Sequence, residues 1–510
     1  MARYEIRNKD VTLLEFGMRQ DVADSPWGPV DVRSIDGVEV VSTDGALPTG
    51  IERETDAAGV KRWLEERRSP FSRKHMDKLF HALGIQTHEA YIIRSLGLSL
   101  GDTYWTVPSG SPLKWGDVSL YRHPFPEVVS SLALSGLQET LIPQDGPQLS
   151  PELSTNGALP KCWMWRDGKI SLIKGQSDPF GNMGREAFSE YYMSQVAAAA
   201  GLEHVSYDLI SLRGPQGGDA IFSVCPLFTS EEHGYEPMAS LLRPEERSAS
   251  GKELLSVCAR HIDPDDLADM LVFDAVIGNT DRHLNNFGAM RDNDTGKIVG
   301  TAPLFDHGMS LLNTLVWHKD PALDEFRRIE EAVMRGKGDP YTGSFMETVR
   351  FVGGPRQRAM LERLADFQFT PHETFRACQE MLEPLGAHIR ATARSYVSII
   401  SHKTARTAMP IEPPELTEEE IRALGLVEDP IIHLRPRTDG QTYKGEVVHV
   451  DEERGYIVQR SGRRSLFVHR TDRLDRVPGV GEEIKISYPR EEGPKASVTE
   501  EQVRKRSRSR

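Results

Sequence analysis

Gly278-Asn279-Thr280-Asp281-Arg282-His283-Leu284-Asn285-Asn286-Phe287-Gly288, followed after a spacer by Ala302-Pro303-Leu304-Phe305-Asp306-His307-Gly308, are the two segments on which the reading of this chain turns. The first is a loop leaving an apolar stretch, Pro264 to Ile277, that reads as a helix. It carries an aspartate with an asparagine five residues later, and a second aspartate ends an apolar run twenty residues further on. Phosphoryl transfer needs that set. One carboxylate accepts or orients the proton of an attacking hydroxyl, and an amide oxygen with a second carboxylate suits a hard cation such as Mg²⁺ between phosphates.

Upstream, Trp163-Met164-Trp165 and Ile170 to Lys174 flank an Asp167-Gly168 pair, a strong short signal for a β-hairpin. Ser154-Thr155-Asn156-Gly157 forms a small polar loop before it. Gly184 to Leu202 reads as a helix, with Ala197 to Ala200 suited to close packing and Gly201 to its C-terminal stop. Ala220 to Val224 reads as a strand running into Cys225-Pro226-Leu227-Phe228, and 355–405 is helical by apolar spacing. Residues 1–150 read as a mixed accessory domain, with helices over Val60–Arg68 and Arg73–Leu83 and a strand at Tyr104–Val107, but with no catalytic constellation.

The remaining organisation follows from composition. A chain of 510 residues predicts about three domains. Pro410, Pro413, Pro414, Pro430 and the Glu418-Glu419-Glu420 run mark 409–440 as a linker. Alternation over Tyr443–Tyr488 predicts a small β-barrel at 441–490, and 491–510 read as a disordered basic tail. The net charge of -14 is too acidic for the whole surface to attract nucleic acid or anionic lipid. From Gly440 onward, however, 16 Lys and Arg face 12 Asp and Glu, so a polyanion-binding face belongs at that end. Charged residues in Met1–Asp10 and the lack of a long apolar run predict a cytoplasmic protein without a membrane partner. Cys162, Cys225, Cys258 and Cys378 form no CxxC pair and read as buried thiols.

The Asp-to-Asn interval equals that of the protein-kinase catalytic loop H-R-D-x-x-x-x-N, and Asp306-His307-Gly308 parallels D-F-G. The triplet is inverted, Asp281-Arg282-His283. With that inversion, residues 151–408 resemble a HipA-like serine/threonine kinase domain. The resemblance implies an α+β, bilobal protein-kinase-like fold, with an N-lobe over 151–228 and a C-lobe over 229–408, that uses ATP and Mg²⁺. It implies Asp281 as catalytic base, Asn286 and Asp306 as metal ligands and an early-strand lysine on the phosphates. Ile170, Leu172 and Lys174 share one strand face, which favours Lys174 over Lys169 in the turn and Lys161 at the strand entrance. A helical glutamate should hold that lysine; Glu190 is the choice, with Glu186 one turn earlier as the rival.

No G-x-G-x-x-G precedes Lys174, so the nucleotide loop is assigned to Ser154, Thr155, Asn156 and Gly157, in keeping with the short Ser/Gly loop of HipA-like proteins. In that family a loop serine can be autophosphorylated; Ser154 and Thr155 both remain open for that role. Adenine is expected against Val224, Leu227 and Phe228. The family resemblance further implies a protein substrate, a toxin role and an antitoxin partner. The C-terminal segment resembles the KfrB domain of plasmid-associated proteins, which implies binding, including to nucleic acid; Arg460, Arg463 and Arg464 permit it. Two competing readings are a catalytically weak protein presenting the C-terminal barrel to plasmid DNA, and a metal-dependent hydrolase built on Asp281, His283, Asp306 and His307.

Overall fold

The structure is a computed structural model that describes residues 2–25, 28–42, 45–51, 57–70, 73, 75–85, 88–135, 147–155, 157–177, 184–213, 219–314, 340–401, 418–426, 431–433, 442–451, 455–461, 464–488 and 496–500. Its contacts divide the chain into two units, Met1–Lys403 and Thr404–Arg510. It is a mixed α and β protein with four separate sheets.

The first unit opens with strands β1 (Ala2–Asn8), β2 (Val11–Ser25) and β3 (Gly28–Val40), and β4 (Tyr104–Pro108) returns to pair with β1, giving the order β3-β2-β1-β4. Tyr4 and Ile6 lie opposite Phe16 and Leu14. All four join one core with Val60 and Leu64 of α1 (Ala57–Arg67) and Leu79 and Phe80 of α2 (Met76–Ala82). Helices α3 (His88–Ser95), α4 (Trp115–Val118) and α5 (Glu127–Ser135) complete this part. Tyr4 and Ile6, and Leu14 and Phe16, alternate with charged residues as a strand with one apolar face should, and the charged face is itself closed, with Glu5 and Arg7 buried as an ion pair of 2.6 Å.

The second sheet holds β5 (Lys161–Arg166), β6 (Lys169–Lys174), β7 (Asp208–Arg213) and β8 (Asp219–Pro226) in the order β5-β6-β8-β7. Asp167 and Gly168 both take positive φ, 49° and 74°, as a two-residue hairpin turn requires. Helix α6 (Glu186–Ala200) follows β6 and stops at left-handed Gly201. Cys162, Ile173, Phe222 and Val224 form the core on one face of the sheet. On the other face Ile170, Trp163 and Leu227 pack with Leu96, Trp105 and Val107, so the N-terminal residues share a core with this sheet.

Strand β9 (His233–Pro237), helices α7 (Met238–Leu241), α8 (Gly251–Cys258) and α9 (Pro264–Ile277), and strands β10 (Gly288–Asp292) and β11 (Ile298–Thr301) come next, the strands ordered β11-β10-β9. Asp263 caps α9 by accepting from Asp265 N at 2.7 Å, and Pro264 occupies its first turn. Every residue from Leu267 to Ile277 is buried, so α9 is a core helix rather than an amphipathic one. Helices α10 (Leu311–Thr314), α11 (Phe345–Val352), α12 (Pro355–Glu362) and α13 (Gln379–Ser401) finish the unit. The helical reading of 355–405 thus resolves into two helices with a break between them. The N-terminal part also docks here, through Asn8 Nδ2 on Asn293 O (2.6 Å) and Trp115 Nε1 on Glu231 Oε1 (2.6 Å).

The second unit carries α14 (Glu418–Ala423) and strands β12 (Ile431–His433), β13 (Thr442–Asp451), β14 (Tyr456–Ser461), β15 (Ser465–Arg470), β16 (Glu483–Ser487) and β17 (Ser497–Glu500). They form one sheet in the order β12-β15-β14-β13-β16-β17. Val447, Ile457, Ile484 and Ile486 build one core, while Tyr456, Val458, Leu466 and Val468 build another with Ile421. The strands expected there are present, but among the described residues β12 and β17 are edges that do not pair with each other, so no closed barrel is seen. Most of the 409–440 linker, and 501–510 of the basic tail, lie outside the described residues. All four cysteines are buried and unbonded. Among the described residues no helix is long and apolar enough to cross a membrane.

Candidate active site

Lys174 ends β6, directly opposite Lys161 on β5 and Ser223 on β8. Its strand alternation carries the ammonium inward, where it donates to Glu190 Oε1 at 2.8 Å and makes a short ion pair with Asp306 Oδ1. Glu190 is fully buried on α6, and its second oxygen accepts from the backbone N–H of His307 at 2.6 Å. Glu186, one turn earlier, instead accepts from Ser177 N at 3.3 Å. Burial alone would discharge Lys174, but the carboxylates of Asp306 and Glu190 outweigh it and raise its pKa. Burial likewise opposes ionisation of Asp306, and Lys174 and Lys161 overcome it, holding the carboxyl well below the usual range.

Asp306 has φ 60°, the left-handed conformation, uncommon outside glycine although aspartate tolerates it better than most residues. Two bonds hold it here: Asp306 N donates to Tyr207 Oη at 3.1 Å, and His307 N to Glu190. His307 is buried with Nδ1 facing Arg282 at 3.4 Å and rings of Phe273 and Tyr207 around it. Burial, with Arg282 adding to it, pushes its pKa down, so it stays neutral.

The loop that bears Asp281 starts at Gly278, whose φ of 62° ends α9. Arg282 is fully buried and ties the loop to three neighbours at once. It donates to both oxygens of Asp274 on α9 (2.8 and 2.9 Å), to Asn286 O (2.8 Å) and to Phe305 O (2.7 Å). Asp274 also accepts from Asn279 Nδ2 at 3.0 Å, and Asn279 Oδ1 accepts from Asp281 N at 3.1 Å. Asn286 Nδ2 donates to Asp281 O at 3.1 Å, which keeps the amide oxygen available as a ligand. Asp281 is exposed, yet partial desolvation by its neighbours raises its pKa, with His283 opposing and Asp306 adding to the rise.

The segment before β5 passes as a roof over Lys161, the residue opposite Lys174. Gly157 has φ 100°, and a Cβ there would lie 2.2 Å from Lys161 Nζ, so the chain turns closely over that amine. Burial, with Lys174 next to it, pushes the Lys161 amine down to about 7. Thr155 Oγ1 donates to Pro151 O (2.7 Å) and accepts from Trp163 Nε1 (2.9 Å). Ser154 Oγ donates to Pro151 O at the longer distance of 3.3 Å.

This arrangement was compared with known proteins. The profile of the HipA-like C-terminal domain matches residues 153–368, and that of the KfrB domain matches residues 442–499. The chain is HipA-like over the first of these segments and KfrB-like over the second. Solved structures resembling it include a Helicobacter pylori proinflammatory kinase, CtkA, at 17% identity and TM-score 0.39, covering 49% of this chain and 95% of that one. Another is HipA of the Shewanella oneidensis MR-1 toxin–antitoxin system, solved with HipB and operator DNA, at 14% identity and TM-score 0.44, covering 78% and 99%. A comparison with curated protein sequences returned no match.

Within the HipA-like segment, Lys174, Glu190 and Asp306 are bonded together, and Asp281 and Asn286 share the adjoining loop. Ser154, Thr155 and Gly157 lie on the roof, while Asn156 falls outside the described residues. The expected adenine edge narrows. Val224 turns its side chain into the core on the opposite sheet face, and Leu227 spends its N–H on Ile170 O at 2.9 Å. Phe228 packs against Tyr235 and Phe305, the residue before Asp306. The hydrolase reading fails on geometry: among the described residues no three His, Cys, Asp or Glu gather to hold a metal, and His307 faces Arg282. Sequence reasoning missed the partnership of Arg282 with Asp274, though an aspartate inside an apolar helix seven residues before Asp281 signals a buried partner. Nor did it place Lys161 directly opposite Lys174, because that pairing depends on strand register.

Proposed function

We propose that this protein is an ATP- and Mg²⁺-dependent serine/threonine protein kinase of the HipA type. The observation that carries the proposal is Lys174 held between Glu190 and Asp306 beside the Asp281–Asn286 loop. A lysine kept charged by buried Glu190 and half-buried Asp306 is positioned for a polyphosphate, and the donor set of Asn286 and Asp306 is all oxygen, as a hard cation requires. Asn286 and Asp306 would hold Mg²⁺, whose charge offsets that of the phosphates.

Lys174 orients the phosphate chain and Glu190 fixes Lys174, while Lys161 adds a second cation under the Ser154–Gly157 roof. The hydroxyl of a protein serine or threonine gives its proton to Asp281 as its oxygen bonds to the γ-phosphorus and the bond to the ADP oxygen breaks. Partial desolvation, by raising the Asp281 pKa, makes that carboxylate a better proton acceptor than one fully in water. Ser154 is the hydroxyl best placed for autophosphorylation, since Thr155 Oγ1 is already engaged on both sides.

An assay with labelled ATP tests this: Asp281→Ala lowers incorporation at least ~100-fold, and undiminished incorporation refutes it. Mass spectrometry after incubation with Mg-ATP reads the phosphorylated position. For partners, the HipA-like segment supports an antitoxin and a toxin role, and the KfrB-like unit with its net positive C-terminal balance supports nucleic-acid binding. Binding of DNA that weakens steeply with salt and disappears on deleting 440–510 is the expected result.

A further inference from the structure

The segment leading into the nucleotide roof is gripped by residues far upstream. Arg73 and Glu152 form an ion pair of 2.7 Å with neither side chain exposed. Arg73 Nη2 also donates to Lys161 O at 2.6 Å, and Nη1 reaches Glu152 O (3.2 Å) and Thr155 O (3.1 Å). One guanidinium therefore pins both ends of the stretch from Glu152 to Lys161. Glu152 Oε1 closes the frame by accepting from Trp163 N at 2.6 Å. Ser69 repeats the grip: its Oγ lies 2.7 Å from both Glu152 O and Thr155 O, and its N–H donates to Leu153 O at 2.9 Å. Tyr91 Oη, whose one proton has Arg67 O as its nearer acceptor at 3.0 Å, lies 3.3 Å from Leu153 O.

The direction of these bonds matters. Carbonyls of Glu152, Leu153 and Thr155 are all drawn toward the N-terminal residues, and Ser154 N–H is spent on Pro151 O at 3.1 Å, so the course of the backbone into the Lys161 strand is set by this grip. A buried charged pair is also a weak stabiliser compared with apolar packing, so its use at this place points to geometry rather than stability.

We propose that Arg73, with Ser69, is a positioning residue for the nucleotide loop, so that the N-terminal part of the chain sets the shape of the phosphate site. This rests on the kinase reading for its catalytic consequence. The expected result for Arg73→Lys and Ser69→Ala in the full chain is a KM for ATP raised about 10-fold or more, with kcat at saturating ATP changed less. Hydrogen exchange without nucleotide should show faster exchange in 152–161 and unchanged protection in 264–277. Ser69→Ala removes only a hydroxyl, so it keeps the test open should Arg73→Lys fail to fold. Exchange in 152–161 unchanged from wild type in Ser69→Ala overturns the proposal, as does an unchanged KM for ATP with the loop loosened. Absence of phosphotransfer by wild type strikes the kinase reading alone, because the exchange measurement reads the grip with no nucleotide present.

Discussion

Arg282→Ala removes the side chain that ties the catalytic loop to its surroundings. The guanidinium is fully buried, with two bonds to Asp274 and one each to the carbonyls of Asn286 and Phe305. Asp274, also fully buried, keeps Asn279 and Tyr341 as partners but loses its only cation among the described residues. Breaking such a pair from one side costs about 3–5 kcal/mol, a large share of the roughly 5–15 kcal/mol that holds a domain folded. All seven tryptophans lie within Met1–Lys403, so urea unfolding followed by their fluorescence reports this unit and not the C-terminal one. The double variant Asp274→Leu/Arg282→Met should recover most of the lost stability, because two apolar side chains leave no uncompensated charge. It should not recover phosphotransfer, since the carbonyls of Asn286 and Phe305 still lack the donor that aligns the Asp281 loop with Asp306. An Arg282→Ala stability within about 0.5 kcal/mol of wild type, or full activity in the double variant, would refute this reasoning.

Lys161, pushed down to about 7 by burial and Lys174, is charged only below that pH in the free protein. Nucleotide affinity should therefore fall as pH rises through 7, and binding near pH 8 should take up a proton, measured by calorimetry in buffers of different ionisation enthalpy; Lys161→Met abolishes both effects. In the C-terminal unit, burial lowers His469 to about 3 while Gln459 and Tyr488 hold its ring. The unfolded chain binds the proton first, so stability present above pH 6.5 declines as pH falls toward 3, by about 2 kcal/mol between pH 6.5 and 5. Hydrogen exchange of β14 and β15 measures it, and His469→Gln flattens that profile. Gly288→Ala would place a Cβ 2.1 Å from Glu236 O and 2.9 Å from Met238 N, both backbone atoms. It should cost about 1–3 kcal/mol in the same fluorescence assay and shift the exit of the catalytic loop.

The hairpin at Asp167-Gly168, the helix stop at Gly201 and the helical stretch Pro264–Ile277 were legible because each depends on local preference. Asp281, Asn286, Asp306 and Lys174 stand out in the sequence as candidates by residue type and spacing, and their roles belong to the proposal above. Strand alternation also selected Lys174 over its neighbours, because a period of two is a local rule. The N-terminal sheet carries its alternation at Tyr4, Ile6, Leu14 and Phe16, but the burial of its charged face, where Glu5 pairs with Arg7, depends on tertiary contacts and is not written locally.

What the amino-acid order determined by itself is thus the set of reactive groups and the short elements that carry them. Tertiary structure alone decided which groups meet. Lys174 and Asp306 meet through the placing of β6 beside the segment after β11, and Glu190 rather than Glu186, one turn away on the same helix face, reaches them because of where α6 sits along its axis. Arg282 finds Asp274, and Arg73 finds Glu152, across distances in sequence that no local rule spans. The physical reason is that a buried charge is tolerable only beside its partner, and which partner arrives depends on the closure of the whole core.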